Sequence, residues 1–116
     1  MTPITFQAID PKVLMDAAGD ALVFQALSQT FLDHAPAIFA QMNTALARGD
    51  LADAGRHSHA LKGMTMLVGA AELTSRLQQV ETAARSGQPP GTEGLAALLS
   101  LVLDEVAVAM DENGTI

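Results

Sequence analysis

The chain has 116 residues, 49% of them hydrophobic, with a formal charge of −7 and no cysteine. Its six basic residues are scattered, leaving no basic stripe for a nucleic-acid backbone or an anionic membrane surface, and the missing thiols exclude disulfides, thiol catalysis and cysteine-ligated metals. Abundant Ala, Leu and Met beside four Phe and no Trp or Tyr predict an all-α fold, in a single domain able to bury about two-thirds of its unfolded surface.

Asp10-Pro11 reads as an N-cap followed by proline at the first helical position, and Gly19 as a stop, so a short first helix is predicted over about 11–18. Asp20 caps a second helix in which Leu22, Ala26, Leu27, Phe31, Ile38, Met42 and Leu46 recur at helical spacing, while Pro36 predicts a kink or break within it. Gly49-Asp50 is a stop followed by a cap and opens a third helix over about 51–68. Gly69 permits a tight reversal into a fourth helix over about 71–85, with Leu73, Leu77, Val80 and Ala84 as its apolar stripe.

Ser86-Gly87-Gln88-Pro89-Pro90-Gly91 is a connecting loop. Thr92 is expected to cap a fifth helix striped by Leu95, Leu98, Leu99, Val102, Val106 and Met110, with residues 111–116 as a frayed tail. The stripes predict an antiparallel four-helix bundle with an additional short N-terminal helix, filling one domain over 1–116 with its core at about 10–111. The longest apolar region, 95–103, is interrupted by Ser100 and falls short of the roughly 20 apolar residues of a membrane span. The opening Met1-Thr2-Pro3-Ile4-Thr5-Phe6 lacks the basic and apolar regions of a secretory leader, so a cytoplasmic location is expected.

The chemistry concentrates at His59-Ala60-Leu61-Lys62-Gly63. At about 100° per residue His59, Lys62, Gly63 and Met66 share one helix face, while Leu61, Met64 and Val68 share the opposite one, so the imidazole faces outward. Gly63 costs about 1 kcal/mol relative to Ala inside a helix, and its missing side chain opens room for a docking partner. If the third and fourth helices form a hairpin turning near Ala70, His59 and Glu81 each lie eleven residues from the turn and sit at one height. A Glu81 carboxylate accepting from Nδ1 would fix the tautomer and leave Nε2 a free lone pair as nucleophile, and Lys62 one turn away can attract incoming phosphoryl oxygens. The alternative for Glu81 is a solvated charge paired with Arg85, and for Lys62 a solvated charge as well. Met64 reads as core, whereas Met66 is either packing or an adaptable partner contact. His57 and His59 point about 200° apart and cannot chelate one metal, so no metal site is expected. His57 reads as a partly buried packing residue and His34 as an exposed one.

Gly49-Asp50, His59-x-Leu61-Lys62-Gly63, Gly69-Ala70, Leu77 and Glu81, with Phe31, Pro36 and Leu46 upstream, resemble the histidine-containing phosphotransfer (HPt) family over most of the chain. Met64, Thr65 and Met66 depart from the smaller residues common there, and His57 from a small or apolar one. The resemblance implies a phosphoryl carrier of a multistep two-component phosphorelay, with His59 accepting from the aspartate of one response-regulator receiver domain and donating to another. It implies receiver domains and a hybrid histidine kinase as partners, with Mg²⁺ on the receiver rather than on this chain. No nucleotide-binding glycine loop is present, so autokinase activity is not expected. A monomer is expected, because an exposed histidine must meet two partners in turn. The competing function is a regulatory module that docks on a kinase or response regulator without carrying phosphate.

Overall fold

Local capping chemistry sets most helix boundaries in the computed structural model, which describes residues 5–114. Asp10 accepts a hydrogen bond from the Lys12 N–H at 3.1 Å and Pro11 takes the first helical position, opening α1 (Pro11–Ala18). Asp20 accepts from the Val23 N–H and opens α2 (Ala21–Ala47). At its end Gly49 adopts φ +73°, and the N–H groups of Gly49 and Asp50 return to the carbonyls of Leu46 and Ala45. Asp50 then accepts from the Asp53 N–H at 3.0 Å to start α3 (Leu51–Leu67). A turn through Gly69 leads to α4 (Ala71–Arg85), and the loop 86–94 to α5 (Leu95–Gly114).

Four boundary or phase expectations are corrected. Pro36 does not break α2, which runs through it as one helix. An interior proline costs about 3 kcal/mol, but its ring lies on the exposed side while Phe24, Phe31, Ala35, Met42 and Ala45 are buried on both sides of it, each large apolar group contributing about 1.5–3 kcal/mol. Leu22 and Ala26 are exposed, Leu22 at 83%, because the buried stripe runs through Phe24, Ser28 and Phe31, and residues two positions from Phe24 point about 200° away. Thr92 does not cap α5. Its carbonyl accepts from the Leu95 N–H, while Gly94 at φ +73° takes the cap position and accepts from the Leu98 N–H at 3.0 Å. The expected frayed tail is helical through Gly114, and residues 115–116 of that expectation lie outside the described residues.

The fold is all-α: among the described residues there are five helices and no strand. Helix α3 packs on α2 and α4, α5 packs on α2 and α4, and α1 lies against α2 and α3. Phe24, Phe31, Met42, Leu61, Leu77 and Val102 fill the centre of this antiparallel four-helix bundle with its short N-terminal helix. Residues ahead of α1 strap one end. The N–H groups of Gln7, Ala8 and Ile9 converge on the Glu105 carboxylate at 2.8–3.3 Å, and the Asp10 N–H donates to the Gly69 carbonyl at 3.0 Å. Gly69 at φ +71° is doubly required, since a Cβ there would meet the Asp10 carbonyl oxygen at 2.5 Å. Among the described residues no helix is long and apolar enough to cross a membrane.

Candidate functional site

The α3–α4 hairpin sets the site by register. Counting from Ala70, Thr65 meets Thr74 with their hydroxyls 2.8 Å apart, Lys62 meets Gln78, and His59 meets Glu81. Farther along, Gly55 lies against Arg85, whose Cγ would be in ordinary contact at 3.6 Å with a Cβ at that glycine. Each contact pairs a residue of α3 with one of α4 at nearly the same height.

Glu81 is the hub. Its residue is only 5% exposed, and its carboxylate receives three cationic or ring donors. His59 Nδ1 lies 3.1 Å from Oε2, Arg85 Nη2 donates to the same oxygen at 2.8 Å, and Lys62 Nζ donates to Oε1 at 2.9 Å. Burial pushes the Glu81 carboxyl up, but the hydrogen bond and charge of Lys62, with the charges of Arg85 and His59, outweigh it and hold the carboxyl below its ordinary value. An ionised carboxylate only accepts, so the contact assigns the proton of a neutral His59 ring to Nδ1 and leaves the lone pair on Nε2. The ring remains open to solvent, its side chain 61% exposed. A nucleophile accessible to a macromolecule, with its tautomer held from behind, is suited to group transfer.

The two solvated-charge alternatives do not hold. Glu81 does pair with Arg85, but it is buried and shared with two further groups, and the Lys62 side chain is only 16% exposed. Beside the imidazole, Gly63 is exposed and a Cβ there would meet no atom within 4 Å, so packing within this chain does not require glycine. Met66 is 57% exposed one turn further on, while Met64 packs against the core. Met66 also lines an open groove of about 720 Å³ with Val13, Asp10, Lys62, Thr74 and Gln78, at the junction of α1 with the α3–α4 turn.

His57 stands apart from this constellation. It is half-buried, with Nε2 3.3 Å from Asp53 Oδ2, and that carboxylate also faces Arg56 at 2.8 Å and Arg48 at 3.5 Å. The Arg56 hydrogen bond, with the charges of His57 and Arg56, keeps the Asp53 carboxyl below its usual range against a partial desolvation. His34 is exposed on α2. Among the described residues no three His, Cys, Asp or Glu side chains gather as a metal-binding group.

A family model for the Hpt domain matches residues 26–109, from within α2 to within α5 and so across all four bundle helices. The chain belongs to the Hpt domain family. Hpt domains are phosphotransfer modules of phosphorelay systems, phosphocarriers that interact with receiver domains and histidine kinases. Comparisons with curated proteins and with solved structures returned no match.

Two residues of this candidate site carry little mark in the sequence. Gln78 was not singled out and Arg85 entered only as a pairing partner of Glu81, yet both touch the groups around His59. The usable signal for Gln78 was the register itself, since Lys62 and Gln78 each lie eight residues from Ala70.

Proposed function

We propose that this Hpt domain is a cytoplasmic, monomeric histidine phosphotransfer protein in a multistep two-component phosphorelay, and that His59 carries the phosphoryl group. The supporting observation is the contact of His59 Nδ1 with buried Glu81 Oε2 at 3.1 Å on a ring whose other edge is open. In the transfer step the Nε2 lone pair attacks the phosphorus of a receiver aspartyl phosphate. The N–P bond forms as the P–O bond to the aspartate breaks, and the carboxylate leaves with the electron pair. The ring gains positive charge while Nδ1 keeps its proton, and the Glu81 carboxylate lies where that charge develops. The reverse sequence delivers the phosphoryl group to a second receiver.

Lys62 supplies positive charge one turn from His59 and lowers the repulsion among the transferring oxygens. Gly63 leaves the approach to the ring clear, and Met66 offers an adaptable apolar contact to the receiver. Mg²⁺ is assigned to the receiver's acidic site, and no autokinase step is assigned to this chain. Incubation with a labelled phosphoreceiver tests the proposal: wild type takes up acid-labile label and His59→Gln takes up none. A regulatory module that docks without carrying phosphate would instead keep its regulatory effect in His59→Gln.

A further inference from the structure

Lysine donates three N–H groups and accepts none, so the placement of its ammonium decides how many donors remain for an incoming anion. Lys62 Nζ donates to Gln78 Oε1 at 2.6 Å and to Glu81 Oε1 at 2.9 Å, which commits two of them. The orientation of the Gln78 amide follows from its neighbours: a lysine can only face the carbonyl oxygen, and Gln78 Nε2 donates to Thr82 Oγ1 at 3.1 Å one turn along α4. Gln78 itself is exposed, so burial does not account for its place.

We propose that Gln78 is a positioning residue of the relay site, holding the Lys62 ammonium beside His59 with one N–H left for a phosphoryl oxygen. This rests on the phosphocarrier reading of His59 and concerns a residue to which that reading gives no role. Charge explains why a neutral amide suits the position. Glu81 already receives His59, Lys62 and Arg85, and a second carboxylate at 78 would hold the ammonium equally well but add negative charge where an anionic phosphoryl group arrives. With no acceptor at 78, Lys62 keeps only the Glu81 contact and its ammonium is no longer fixed from two sides.

The test uses the full chain with Gln78→Leu and Gln78→Glu, and phosphoramidate as a small phosphoryl donor that needs no receiver. Nε2 displaces ammonia from phosphorus, the P–N bond of the donor breaking as the new N–P bond forms. The first readout is solvent exchange of the Lys62 ammonium protons by ¹⁵N NMR, and the second is the rate of His59 labelling. Exchange at Lys62 is expected to accelerate about fivefold or more in Gln78→Leu and to stay near wild type in Gln78→Glu. Labelling is expected to slow about fivefold in Gln78→Leu, through the lost hold on Lys62, and also in Gln78→Glu, through the added charge. Unchanged ammonium exchange or unchanged labelling in Gln78→Leu overturns the proposal. Failure of wild type itself to label at His59 overturns the carrier reading instead, and exchange at Lys62 still reports whether Gln78 holds it.

Discussion

His59 Nδ1 and Glu81 Oε2 face each other at 3.1 Å from positions equally distant in sequence from Ala70, so the hairpin turn and this contact are set by one register. The imidazole is therefore oriented by a residue that the fold already buries. Removing that residue separates orientation from nucleophilicity. Glu81→Ala is expected to slow transfer about tenfold to a hundredfold, with the fold retained but destabilised by about 1–3 kcal/mol because a largely buried Lys62 loses an acceptor. Single-turnover transfer kinetics alongside urea unfolding check both halves. Unchanged kinetics would remove Glu81 from the site.

Lys62→Ala acts differently, since it removes charge near the phosphoryl oxygens and leaves the His59–Glu81 contact in place. Transfer is expected to slow about tenfold, or the phosphohistidine lifetime to shorten, as followed by decay of the label. If neither changes, Lys62 is only a structural partner of Glu81 and Gln78.

Two glycines of the hairpin are predicted to respond in opposite ways. A Cβ at Gly63 meets nothing within 4 Å, so Gly63→Ala is expected to stabilise the protein by about 0.5–1 kcal/mol through helix propensity. Gly63→Gln should fold and yet lose transfer from a receiver, because its side chain projects beside His59. At Gly69, φ +71° and the Asp10 backbone at 2.5 Å make Gly69→Ala destabilising by at least about 1–2 kcal/mol. Thermal unfolding of the three variants tests the contrast.

Acid should unfold the protein partly through Glu81. Its carboxyl is held below the ordinary value of 4.5, so the folded state binds this proton less readily than the unfolded one. The stability it contributes is complete above that ordinary value and is lost as pH falls through the lower folded value. Denaturation midpoints are expected to decline below about pH 4.5, and Glu81→Gln, less stable at neutral pH, should show a shallower acid decline. Parallel acid slopes in the two proteins would assign the loss to other carboxylates.

Substitution of Met66 is expected to separate partner contact from chemistry. Its side chain is exposed beside the groove shared with Val13, so Met66→Ala should change the unfolding midpoint by no more than about 1 °C. Labelling by a small donor should be unaffected, while transfer from a receiver weakens several-fold as the concentration for half-maximal rate rises. An equal effect on both donors would contradict a docking role.

Most of the fold was legible because its punctuation is local. Asp10-Pro11, Gly49-Asp50 and Gly69 satisfy the orphaned backbone groups of their own helices, and the boundaries they mark agree with the structure. The misreadings arose where packing overrides local preference. Pro36 is carried by a helix buried on both sides of it, and Leu22 fits a helical period but lies off the face that α3 and α5 cover. Thr92 has the right side chain for a cap, yet Gly94 reverses the chain two residues later. The contact between His59 and Glu81 was legible because their equal spacing from the turn at Ala70 sets them at one height. Gln78 carries neither charge nor apolar periodicity, and only the hairpin register brings it to Lys62.

The central claim, that His59 carries the phosphoryl group, is tested most directly by time-resolved label transfer from phosphorylated receiver domains of the same cell to wild type and His59→Gln. The acid lability of the product identifies a phosphohistidine. Acid-labile label on wild type alone is the predicted result. Equal labelling of His59→Gln, or no transfer from any receiver that binds the protein measurably, would contradict it.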